Sequence, residues 1–246
     1  MNIEQIFYAI TTTISIILTV LTLQRLLSYW WRQYYLLGLV LILGMATIVP
    51  SFASLFNSGV WKLSGVQTIY WMLALAAQAG TSLLILQLIY RVNRETPSRS
   101  TLVRLLTLAS IIAVVVSIVS HFDNRPNIFM ASITRDLTFL GALLNMILWR
   151  FLMKVRKRDF LLLAVSAGVG IQCTGDAIGH SFRILARQMG SANQIYEFGN
   201  ILMSLSAVMT IAIWHMAFSR SKYPAIPRAG DEPKTMVSGS STRMAG

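Results

Sequence analysis

The chain has 246 residues, 55% of them hydrophobic and only 12% charged, with a formal net charge of +12. Soluble domains carry roughly 25% charged residues, so this composition excludes an ordinary soluble enzyme or nucleic-acid-binding domain and points to a membrane protein. The single cysteine, Cys173, excludes an intrachain disulfide and a cysteine-built metal cluster.

The first residues, MNIEQIFYAITTT, lack a positive n-region and a small-residue cleavage site, so they are expected to form a retained first span. A hydropathy window of about 19 residues then finds seven apolar runs. They lie near 5–23, 35–55, 66–90, 101–121, 131–153, 159–181 and 194–218. Each has about the 20 residues that cross the hydrocarbon layer. The loops between them are short, so consecutive spans are expected to neighbour one another as antiparallel helices.

Span two holds Pro50 near its far end, where a kink is expected. Span three carries Gln78 and Gln87, which look isolated, and a small-residue run, ALAAQAGTS. Span four ends at His121, and span five opens with Arg135 and Asp136 and holds Asn145 deeper. Span six carries Gln172, Asp176 and His180, each four residues from the last, which places them on one stripe of a helix. Beside that stripe Gly168, Gly175 and Gly179 would let a neighbouring backbone come close. Span seven opens with Glu197 and Asn200. Trp30, Trp31, Trp61 and Trp71 fall near span ends and read as interface anchors.

The cations choose a direction. Sixteen of the 21 fall on one side, after spans one, three, five and seven; only Lys62, Arg125, Arg135, Arg183 and Arg187 fall on the other. The positive-inside rule gives an outside N-terminus and a cytoplasmic C-terminus. Residues 1–220 are thus expected to form the bundle. Residues 221–246, rich in Pro, Gly and Ser, are expected to form a flexible basic tail. No soluble output domain and no inverted repeat are evident in the sequence.

Sorted by depth, the outer thirds of spans five, six and seven share a belt of polar groups. It comprises Arg135, Asp136, Gln172, Asp176, His180, Arg183, Glu197 and Asn200, with Asn145 below. Polar groups in lipid are expensive, so such a belt is either a structural ion-paired junction or a ligand pocket. A metal site is the sharper alternative: Asp176 and His180 stand at i and i+4, and His121, Glu197 or Asp136 could complete a ligand set for a hydrolase. No H-E-x-x-H motif supports it, and the ion-paired network is preferred. Haem would need two facing histidines at one depth, which only His121 and His180 could offer. A covalent retinal is excluded, because Lys62, Lys154, Lys157, Lys222 and Lys234 all lie in loops or tail. A transport path is disfavoured by the apolar inner half of span six, FLLLAVSAGVG. No cofactor is expected; lipids are.

Two segments, TRDLTFLGALLNMILW and GVGIQCTGDAIGHSFR, carry an R-D-L-T-F start at Arg135–Phe139 and a G-x-x-x-Q-x-T-G-[ED]-A-I-G stretch at Gly168–Gly179. In these the chain resembles a group of bacterial seven-span integral membrane proteins to which no activity is assigned. It is similar, more distantly, to the seven-span input regions of bacterial sensor proteins. The resemblance implies the fold and carries over no catalytic residue.

The expectation is therefore an all-α, seven-transmembrane-helix bundle in a bacterial inner membrane. Its expected role is non-enzymatic: an accessory or scaffold protein that forms a homo-oligomer or docks with other membrane subunits. A cytoplasmic partner would meet its basic loops and tail. The alternatives are a sensor-like module with an outward-facing pocket between spans five, six and seven, and a metal-dependent membrane hydrolase.

Overall fold

The computed structural model describes residues 3–56, 64–93, 99–122, 126–154, 159–189 and 193–221. The tail from residue 222 onward, Trp61 and Arg125 lie outside the described residues. Helices α1 (Ile3–Arg25) and α2 (Trp31–Phe56) are joined by a π-helical turn, Leu26–Trp30; then come α3 (Ser64–Val92) and α4 (Arg99–Ser120). The chain continues through α5 (Pro126–Lys154), α6 (Phe160–Gln188) and α7 (Asn193–Arg220). Among the described residues six helical stretches are long and apolar enough to cross a membrane, the first of them running from Ile6 to Ile48.

That first stretch is not straight. A straight helix would hold Thr12 and Ile48 about 54 Å apart, yet both line one cavity of about 350 Å³. The chain reverses over the π-turn and Tyr34, whose backbone leaves the helical region at φ −131°, ψ 35°. A loop was expected between the first two apolar runs. No Gly or Pro interrupts Arg25–Leu37, so the backbone stays hydrogen-bonded through its bend. The non-helical backbone inside α2 is at Tyr34, and Pro50 lies within the helix further on.

Aromatic contacts pin this reversal. Tyr34 is fully buried, with its ring 5.7 Å from Phe218 of α7 and 6.4 Å from Trp30. The Arg91 guanidinium of α3 lies 5.1 Å above the Tyr34 ring and donates to Gln33 Oε1 at 3.0 Å. Edge-on ring pairs contribute about 0.5–1.5 kcal/mol each beyond area burial. Trp30 and Trp71 are buried, so neither is the interface anchor that position near a span end suggested; Trp31 is exposed.

The helices close a ring in the order α1, α2, α3, α5, α6, α7 and back to α1. Helix α4 packs outside it, on α5 and α3, and its Leu105, Ile112 and Val119 face outward. Neighbours in sequence are thus not always neighbours in the ring, since α3 runs on to α5. The core fills the half that holds the start of α6 and the end of α7, with Leu37, Leu84, Leu148, Val165 and Phe218 fully buried or nearly so. Asp159 caps α6, its Oδ1 accepting from the amides of Leu161 (3.1 Å) and Leu162 (3.3 Å).

Helices α6 and α7 are the most closely packed pair. Gly168 faces Trp214, Gly175 faces Ser206, and Gly179 faces Met203 and Gly199. Across this seam Thr210 donates to the Gly168 carbonyl (2.9 Å) and Trp214 Nε1 to the Val165 carbonyl (3.1 Å). A Cβ on Gly179 would stand 2.7 Å from the Gly199 carbonyl oxygen, which cannot move without moving α7. Gly179→Ala is therefore expected to cost about 1–3 kcal/mol, read as a lowered unfolding midpoint in detergent. Gly44→Ala, with open space around its Cβ, should leave the midpoint unchanged or raise it. Equal loss in both variants would show that the close approach does not matter.

Candidate functional site

The ring encloses a cavity of about 350 Å³, at the small end of ligand-pocket sizes. Its walls come from α1, α2, α3, α6 and α7, with Thr134 alone from α5. Leu41, Leu84, Val169 and Trp214 form a floor, and all four belong to the buried core. Val169 and His180 both line it, so it extends about 16 Å along α6.

Among the described residues Asp176 is its single acidic lining residue, and it is buried. Its Oδ2 accepts from Gln172 Nε2 at 2.7 Å, one turn back on α6, and from Gln78 Nε2 of α3 at 3.3 Å. Among the described residues no cation forms an ion pair with it; the ion pairs there involve Asp136 instead. His180 follows one turn later, also buried and lining the cavity, and its Nδ1 has no hydrogen-bond partner among the described residues.

The rest of the wall is apolar or hydroxylic. Tyr70, Trp71 and Trp214 supply aromatic surface. Thr11, Ser15 and Thr19 stand at four-residue steps and so on one face of α1. Thr11 donates to the Phe7 carbonyl (2.9 Å), Thr81 to Ala77 (2.9 Å) and Thr134 to Met130 (2.8 Å). A hydroxyl that donates to its own helix still offers lone pairs as an acceptor.

The belt read from the sequence is divided by the ring. Gln172, Asp176 and His180 line the cavity, and Asp176 bonds to Gln78 of α3. Arg135 and Asp136 turn toward α4 instead: Arg135 Nη2 donates to Asp136 Oδ1 at 2.9 Å, and Ser117 Oγ donates to Asp136 Oδ2 at 2.8 Å. His121 belongs to that second cluster, its Nδ1 3.5 Å from Asp136 Oδ2 and 2.9 Å from the Ser117 carbonyl. It is therefore apart from Asp176 and His180, and among the described residues no three His, Cys, Asp or Glu side chains gather to hold a metal. Asn145 lies between α5 and α6, accepting from Ser166 at 2.9 Å. Arg183 donates to the Tyr196 hydroxyl at 3.0 Å, while Glu197 and Asn200 are half-buried on α7 and line no part of the cavity.

Two features escaped the sequence reading. Gln78, which looks isolated in the sequence, is a partner of Asp176. The Thr and Ser stripe of α1 also went unweighed, though its four-residue period in an apolar run was a legible signal. No protein-family model matches the chain, and neither does any curated protein or solved structure.

The Gln78–Asp176 bond predicts a measurable coupling. In a double-mutant cycle of Gln78→Ala and Asp176→Ala, unfolding free energies should be non-additive by about 0.5–3 kcal/mol. Simple additivity would mean that the contact carries no energy.

Proposed function

We propose that the chain is an integral protein of a bacterial inner membrane that binds a small molecule in the cavity between α1, α2, α3, α6 and α7. The reading is non-enzymatic and sensor-like. The observation that carries it is Asp176: a carboxylate inside an apolar bundle, oriented by two amides and facing a cavity of ligand size. The pocket differs from the one anticipated between spans five, six and seven, because α1, α2 and α3 build most of its far wall.

Seven spans follow from this reading once the Ile6–Ile48 stretch is taken as two arms, and the cation count favours an outside N-terminus. The cavity then opens toward the outer side, and the packed core faces the cytoplasm. The scaffold reading has thinner support: the outward apolar face of α4 is what lipid alone would cover.

Ala74→Phe places a ring in the cavity wall and leaves the Asp176 carboxylate in the chain. Native mass spectrometry of the gently solubilised protein should show a bound small molecule in the wild type and none in this variant. A wild type that carries only bulk lipid would sink the pocket. For topology, Asn124→Cys should react with an impermeant maleimide on intact cells and Arg156→Cys should not, both in a Cys173→Ala background. The opposite pattern would invert the orientation.

A further inference from the structure

We propose that the cavity selects a compact organic ammonium ion, an amine cation with an apolar body; this rests on the cavity being a ligand site at all. Thr11, Thr81, Thr134 and Thr210 direct their hydroxyl hydrogens to helix carbonyls. The Trp214 indole N–H is likewise engaged with the Val165 carbonyl, and the amide nitrogens of Gln78 and Gln172 turn onto Asp176. What these groups leave to a ligand is oxygen lone pairs. Thr12, Ser15, Thr19 and Ser204 can serve either way, so they do not oppose the choice.

The charge points the same way. A buried carboxylate is stable when paired, and among the described residues Asp176 has amide partners but no cation. An ammonium head would supply the missing charge and up to three N–H donors for these lone pairs, beside the two nitrogen groups that the wall itself leaves unengaged among the described residues, Trp71 Nε1 and His180 Nδ1. Tyr70 and Trp71 offer ring faces that attract a cation, and Ile48, Met45 and Met203 offer contact for an apolar body. An anionic ligand would meet Asp176 head-on; a neutral polar ligand would leave the carboxylate unpaired. The cavity volume limits the ligand to something small.

The test uses the full-length protein in lipid nanodiscs and three probes of one shape: phenethylammonium, phenethyl alcohol and phenylacetate. Calorimetric titration should rank the ammonium tightest and the carboxylate weakest. Asp176→Asn, nearly the same size, should weaken the ammonium by about thirtyfold or more, the usual result of removing one member of a buried charge pair. The same change should leave phenethyl alcohol nearly unaffected. The ranking needs no variant, so it decides the matter even if Asp176→Asn does not fold. Binding of the alcohol or phenylacetate as tight as that of the ammonium, still abolished by Ala74→Phe, would overturn the cation preference and leave the pocket standing. So would a sodium ion that competes fully with the ammonium. Absence of saturable binding by all three probes, or binding that survives Ala74→Phe, would overturn both the pocket and its preference.

Discussion

The approach of two glycines, Gly179 on α6 and Gly199 on α7, is the contact on which the rest of the bundle depends. In lipid there is no hydrophobic gain from bringing two apolar helices together, so association draws on dispersion and on hydrogen bonds between helices. Both need short distances. The glycine seam supplies them, and Thr210 and Trp214 then reach carbonyls of α6 that a wider spacing would put out of range. These two bonds hold α6 in the orientation that presents Asp176 to the interior. They also place Trp214 as part of the floor under it.

Around that fixed pair the remaining helices solve a different problem: how to surround a polar group without filling the space beside it. Leucine and valine close the lower half, where Leu84, Leu148 and Val165 are buried. Threonine and serine line the upper half. Threonine suits the task because its methyl packs like valine while its hydroxyl binds its own helix, so it adds polarity at little cost to the backbone. Gln78 reaches from α3 to share Asp176 with Gln172, so side chains of two helices hold one carboxylate between them. The result is a partly polar volume inside an apolar shell.

Much of this was legible in the residues. Element type and approximate boundaries follow from hydropathy, because a backbone in lipid must satisfy itself and helices do so alone. Residue count along each helix places Asp136, Asp176 and Glu197 toward one end of the bundle. Facing was not legible. Asp136 binds Ser117 and Arg135 toward α4, whereas Asp176 looks across the interior to Gln78. Depth is a count of residues along one helix, but facing depends on which helix lies alongside, and the departure of α4 from the ring gives α5 a third neighbour, α3. Gln78 was misjudged for the same cause. A lone polar residue in a span cannot be told from a paired one until the opposite helix is known.

The π-turn at Leu26–Trp30 sets the rotational phase of everything after it. A π-turn fits one more residue into a turn than an α-helix does, so α2 leaves the reversal at an azimuth that an unbroken α-helix would miss. Loss of a single residue there would swing the following helix by about 100°. Val40, Leu41 and Gly44, which now face the cavity, would rotate away from it. Length in this short segment is therefore held as tightly as residue identity, in contrast to an open loop, where one residue more or fewer passes without effect.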